Sequence, residues 1–244
     1  MSKRWARDEV CGTEDLASAR WCLAPLSVVG LGHTGVVTAG CLASLGHRVV
    51  VSDPKVERVA AIMNRQTPGR EAELGALIAV AVDDGFIEAR ADVPAAVAAT
   101  NITIVALGEK ESVRIVAIQL ARGLVENTSR TNPVIVLTGP KADLQRPTVT
   151  QTIESVTGLK AGVDFGIASH EAPLRRGAAV ADFFAPERTR IHVSDKRTAR
   201  IVVDLFSPVD PFPFVSVGDR EDIERLPLGV IADRAVRSAL ADNV

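Results

Sequence analysis

The chain has 244 residues, a formal charge of -2 and no tyrosine. That length suits one large domain, or one with a fragment of a second, and 47% hydrophobic residues can fill its core. The missing tyrosine excludes a catalytic phenol, and with it a Tyr-x-x-x-Lys dehydrogenase pair, while 28 basic against 30 acidic residues and 4% aromatics leave no footprint for nucleic acid.

Residues 1–24 read as a polar extension: Asp8, Glu9, Glu14 and Asp15 interrupt any apolar core of a signal peptide. The ordered domain is expected over 25–218, with 219–244 opening a connecting helix. Leu26–Val29 is a short apolar strand, and Thr34–Leu45 a helix with Val37, Cys41 and Leu45 spaced by four, closed by Gly46-His47. Arg48–Ser52 is a second strand, ended by Asp53-Pro54, and Val56–Asn64 and Glu71–Asp84 are helices. Val93–Ala99 is a short helix with Pro94 in its first turn, Ile102–Ala106 a strand, Glu111–Leu124 a helix and Val134–Leu137 a strand. Thr148–Val156 is expected as a helix, Val163–Ile167 and Arg190–Val193 as strands, Lys196–Phe206 as a helix and Phe214–Val217 as a strand; the tail Glu221–Val244 reads as helical despite Pro227 and Gly229. Alternation of strands and helices, with strands that are continuous apolar runs, predicts an α/β fold: a doubly wound parallel sheet with helices on both faces and a C-terminal helix. No run approaches the roughly 18 apolar residues of a membrane span. Three cysteines, an odd number placed early, fit a reducing cytoplasm.

The chemistry-bearing motif is Gly30-Leu31-Gly32-His33-Thr34-Gly35, which follows a predicted strand and opens a predicted helix. Gly30 permits the tight turn, Gly32 lets the backbone approach a pyrophosphate, and Gly35 allows close packing of helix on strand. The free N–H groups at the helix start then face the anion. Asp53 ends the next strand, 18 residues beyond Gly35, where a carboxylate accepts from ribose hydroxyls and repels a 2′-phosphate, so NAD is favoured over NADP. The bland alternative is a glycine-rich turn and an Asp-Pro turn with no ligand.

Beyond the loop, Val28 to Gly35, Ala39-Gly40-Cys41-Leu42 and Gly46-His47-Arg48-Val49 resemble the UDP-glucose/GDP-mannose dehydrogenase family, which reads G-L-G-Y-V-G, A-x-x-L and G-H-x-V. Asp53 with Arg58 matches the family's acid and basic partner around the adenosine ribose. Asn64 and Pro68 lie near N-x-G-x-x-P, Lys160 to Phe165 matches the segment before the substrate loop, and Ser169 to Gly177 resembles N-P-E-F-L-x-E-G with one residue inserted. Pro186-Glu187-Arg188 followed by Ile191 resembles P-x-R-x-V-I. The resemblance spans most of residues 26–200. It implies a Rossmann-like NAD-binding domain of an enzyme that oxidises the C6 hydroxyl of a nucleotide sugar to a carboxylate, using a lysine and asparagine on a connecting helix and a cysteine beyond it. Laid on that pattern, the lysine falls on Pro227 and the asparagine on Ile231, the chain ends before the cysteine motif, V-G-T-P becomes Leu107-Gly108-Glu109-Lys110, S-T-x-x-P-G-T shrinks to Thr138-Gly139-Pro140, and the second loop acid is Arg176.

The resemblance puts Gly30, Gly32, His33, Thr34, Gly35, Asp53, Arg58 and Thr138 at the cofactor and Glu171 at the reacting sugar carbon. No metal ligands are expected. His33 stands where the family has tyrosine; it reads either as a pyrophosphate contact or as solvent-exposed, with exposure preferred. Cys41 reads as a small buried hydrophobe. His170 beside Glu171 offers an acid–base pair, although adjacent side chains rarely point together. Arg175 and Arg176 read as a phosphate contact or as a solvated loop. The expected function is the NAD-binding half of a nucleotide-sugar 6-dehydrogenase, not completing the alcohol-to-acid oxidation alone. The alternatives are an inactive NAD-binding sensor or scaffold, or one half of a split enzyme. The expected partners are a nucleotide sugar and a homodimer mate or a chain supplying the missing half, with neither nucleic acid nor membrane.

Overall fold

The structure is a computed structural model that describes residues 25–218, apart from 70, 72, 109–111, 127–131, 172, 188 and 211–212, together with the backbone of Leu226–Pro227. The elements run β1 (Leu26–Val29), α1 (His33–Ser44), β2 (Val49–Ser52), α2 (Val56–Met63), α3 (Leu74–Asp83), β3 (Ile87–Ala89), α4 (Val93–Ala98), β4 (Ile102–Val105) and α5 (Val113–Glu126). They continue as β5 (Val134–Thr138), α6 (Ala142–Thr157), β6 (Gly166–Glu171), α7 (Ala179–Phe184), β7 (Arg190–Val193), α8 (Lys196–Phe206), β8 (Phe214–Val217) and β9 (Leu226–Pro227).

Among the described residues, nine strands form one sheet in the order β3-β2-β1-β4-β5-β6-β7-β8-β9. From β3 to β6 every pair is parallel. β1, β2, β4 and β5 are buried end to end, as expected of strands covered on both faces. One apolar cluster packs α1, α3, α7 and α8 on one face around Leu42, Ile78, Phe183 and Phe206; the other packs α5 and α6 around Leu120, Ile135, Ile153 and Phe165. Ser27, buried on β1, is paired: its hydroxyl donates to Thr103 Oγ1 at 2.9 Å and accepts from Thr100 Oγ1 at 2.8 Å. The order reverses between β1 and β4, which opens a crevice at the carboxyl ends of the strands, where doubly wound sheets bind ligands.

Several expectations need correction. The sheet is not wholly parallel: β7 runs antiparallel to β6, and β9 antiparallel to β8. Leu226–Pro227 therefore runs as strand where the tail reads as helical; the rest of the tail, Ile231 included, lies outside the described residues, as do residues 1–24 with Cys11 and Cys22. The strand expected at Val163–Ile167 begins at Gly166 and extends to Glu171. Val163 is exposed in a turn held by the Asp164 N–H to the Lys160 carbonyl and the Lys160 N–H to the Asp164 carboxylate, both 2.8 Å. α6 starts six residues ahead of the expected Thr148 and runs through Pro147, whose missing N–H falls in the second turn. α3 begins at Leu74 rather than Glu71, because the Glu71 side chain is engaged elsewhere. β3 and α7, three and six residues long, are too short to show a period in the sequence.

Candidate functional site

The glycine loop closes the gap between β1 and α1, and its three glycines have separable physical reasons. Gly30 has φ +91, and a Cβ there would lie 2.3 Å from the Ala106 carbonyl oxygen. Gly35 has ordinary helical geometry, but a Cβ would lie 1.8 Å from the Gly30 carbonyl oxygen. The fold itself thus requires both. Gly32 differs: its φ is -75, and a Cβ built on it meets no heavy atom within 4 Å. None of the described residues demands glycine there, and the space in front of it is open.

Gly32 is also the N-cap of α1. No side chain caps that helix, and no acidic residue lies in its first turn. The first N–H groups and the positive end of the helix dipole thus have no capping side chain among the described residues, the kind of helix start that suits an anion. Thr34 faces the turn after β5, its Cγ2 lying 4.0 Å from a Cβ built on Gly139, which has φ +120. The glycine loop and the Thr138-Gly139 turn are therefore adjacent, across the point where strand order reverses.

Asp53 is buried at the end of β2 and fastens the loop. Its Oδ2 accepts from the Leu31 N–H at 2.6 Å and from Arg58 Nη1 at 3.0 Å, and its Oδ1 accepts from the Lys55 N–H at 2.8 Å. The acid–base partnership expected of Asp53 and Arg58 is present as an ion pair.

His33 is not solvent-exposed. Its Nε2 lies 2.7 Å from Oε1 of Glu71, a residue of the α2–α3 connection. Glu71 is buried, and it also accepts the N–H groups of Gly177 at 2.6 Å and Ala179 at 3.1 Å. The Gly177 N–H foremost, with the His33 imidazole, holds the Glu71 carboxyl below its ordinary pKa. Sequence reasoning missed this residue. Its partners lie 38 and 106 residues away, and no local pattern marks it.

Thr138 ends β5, and its buried hydroxyl lies 3.3 Å from Nδ1 of His170. His170 stacks on Phe206, with ring centroids 3.9 Å apart and planes inclined by 5°. Burial pushes its pKa down to about 4. Phe183, Pro186, Thr189, Phe206 and Val209 share a small cleft with it, away from the glycine loop. The acid–base pair with Glu171 does not form. Consecutive strand residues face opposite sides of the sheet, and His170 is turned into the core while Glu171, half-buried, ends β6 opposite Arg190.

Arg175 is not free for a phosphate. It is exposed, but its guanidinium grips Asp182, with Nη2 2.5 Å from Oδ1 and Nε 3.1 Å from both oxygens. Arg176 is exposed beside it. Cys41 is fully buried and its thiol is pushed up to about 12 by burial, so it is inert at neutral pH. Among the described residues no cluster could hold a metal, and no helix is long and apolar enough to cross a membrane. Glu109 and Lys110 lie outside the described residues.

Residues 24–210 match the profile of the UDP-glucose/GDP-mannose dehydrogenase family, NAD binding domain. The GDP-mannose 6-dehydrogenase of Azotobacter vinelandii is 32% identical over 205 residues, covering 79% of this chain and 46% of that protein. The structure of a UDP-glucose dehydrogenase from the archaeon Pyrobaculum islandicum superposes with a TM-score of 0.69 at 29% identity, over 83% of this chain and 48% of that one. A GDP-mannose dehydrogenase from Pseudomonas aeruginosa shares the fold, with a TM-score of 0.70 at 24% identity, over 89% of this chain and 51% of that one. The chain spans about half the length of the relatives it matches. With its open glycine loop, uncapped first helix and Asp53–Arg58 pair, the chain belongs to the UDP-glucose/GDP-mannose dehydrogenase family and carries that family's NAD-binding domain.

Proposed function

We propose that this chain binds NAD through the glycine loop and serves the oxidation of a nucleotide sugar at C6. NAD, when bound, supplies the hydride acceptor for that oxidation. The observation that supports the reading is Gly32, a glycine the fold does not need, facing open space at the uncapped start of α1.

The remaining roles belong to the chain's own residues. The backbone of Gly32, His33, Thr34 and Gly35 holds the pyrophosphate with N–H groups and no reorganisation. Asp53 accepts from the ribose, and Arg58 holds its carboxylate in place. The Thr138-Gly139 turn lies beside Thr34, which supports a role for the Thr138 segment at the cofactor. Glu171 sits at the carboxyl end of β6, on the same edge of the sheet, as a wall of the sugar site. Aligned without an insertion, His170 to Gly177 has the same length as N-P-E-F-L-x-E-G and sets Ala172 opposite the family's glutamate. Glu171 is then one position away, and Glu171→Ala is expected to leave NAD affinity unchanged.

In this reading 25–218 is the cofactor unit and 219–244 leads toward the connecting region, in a cytoplasmic protein. In the split-enzyme form of this reading, a second chain of different sequence supplies the lysine and cysteine of the oxidation. One observation favours the alternative of an NAD-binding sensor or scaffold: Pro227 stands at the lysine position, and Leu226–Pro227 pairs as strand with β8. Incubation with NAD and UDP-glucose or GDP-mannose separates the two. NADH formation by this chain, alone or with a chain carrying the lysine and cysteine motifs, supports the enzyme, and its absence in every combination despite NAD binding supports the sensor.

A further inference from the structure

Glu71 has the geometry of a strut between two loops that the sequence keeps far apart. One oxygen contacts His33, the first residue of α1, and the same oxygen accepts from Gly177; the other accepts from Ala179. Gly177 belongs to the β6–α7 connection, where the family resemblance lays the substrate loop, and Ala179 opens α7 at its end. The connection is anchored a second time, by the Arg175 N–H and guanidinium on Asp182 of α7. Removing the Glu71 carboxylate would leave the buried Ala179 N–H, and the Gly177 N–H beside it, without their acceptor.

We propose that Glu71 is a positioning residue that couples the two loops, so that NAD bound at the glycine loop orders the Pro173–Ala178 segment through His33 and Glu71. This rests on the reading that the glycine loop holds NAD. The backbone N–H of His33 belongs to the helix start that receives the pyrophosphate, while its imidazole contacts the carboxylate holding the second loop. Fixing the one end fixes the other. By thermodynamic linkage, whatever orders the β6–α7 connection then raises affinity for NAD by the same factor.

Amide hydrogen exchange on the full chain, with and without saturating NADH, tests this at the two N–H groups that Glu71 accepts. In the wild type, NADH slows exchange of Gly177 and Ala179 about tenfold. His33→Ala keeps the backbone N–H and still binds NADH, but the slowing falls below about twofold; His33→Gln, which retains a donor, restores it. Glu71→Gln speeds exchange at both amides without NADH and abolishes the response, while the Val28 and Val136 amides keep their protection and report an intact sheet. Full slowing in His33→Ala, or saturable NADH binding that leaves both wild-type amides unchanged, overturns the coupling. Failure of the wild type to bind NADH at all, read from fluorescence in the same samples, removes the cofactor reading and the coupling with it.

Discussion

At the scale of single residues, the glycine loop separates what the fold needs from what a ligand needs. A Cβ at Gly35 cannot be accommodated against the Gly30 carbonyl, so Gly35→Ala is expected to cost more than about 3 kcal/mol or to prevent folding. Gly32→Ala meets open space and loses only the modest N-cap preference for glycine, about 1 kcal/mol or less, yet weakens NADH at least about tenfold. Urea unfolding and NADH titration of the two variants check the contrast; equal effects on stability would contradict it. The sequence announced the three glycines and Asp53 through spacing alone. It could not show that His33 turns inward or that His170 stacks on Phe206, because both depend on residues brought together by the fold. His170 carries its own prediction. Its folded pKa of about 4 lies below the ordinary value of about 6.5. Between those values the unfolded chain binds more protons than the folded one, so stability is lost as pH falls through that window, on the order of 3 kcal/mol from this group. Its ring resonances should therefore stay neutral down to about pH 5, and titration near pH 6.5 would contradict the buried assignment.

Elements with a long apolar period, such as α1, α5 and α8, could be read from the sequence to within a turn. Those set by tertiary contacts could not. β6 begins at Gly166 because that residue lies against Thr198, where a Cβ would come within 2.1 Å of the hydroxyl. α6 is expected only from Thr148, but it starts at Ala142 and runs through Pro147 in its second turn. α7 is six residues long and depends on Glu71 and Asp182 for its position. α8 tests local logic: Asp195 caps it by accepting from the Thr198 N–H at 2.9 Å and the Thr198 hydroxyl at 2.6 Å. Asp195→Ala should cost about 1 to 2 kcal/mol in urea unfolding without changing NADH affinity. A change in affinity would place α8 in the binding machinery instead.

For the whole molecule, strand-helix alternation was enough to predict the doubly wound sheet, and the reversal between β1 and β4 explains why Thr34 and Gly139 lie side by side. The antiparallel β7 and β9 were beyond the pattern, since apolar runs carry no strand direction. The account's central claim is that the open glycine loop holds NAD. A fluorescence titration of NADH into the full chain tests it most directly. Saturable enhancement at submillimolar NADH, reversed by NAD and strongly weakened in Gly32→Ala, is the predicted result. A linear response up to millimolar NADH, or a Gly32→Ala curve superposing on the wild type, would contradict it.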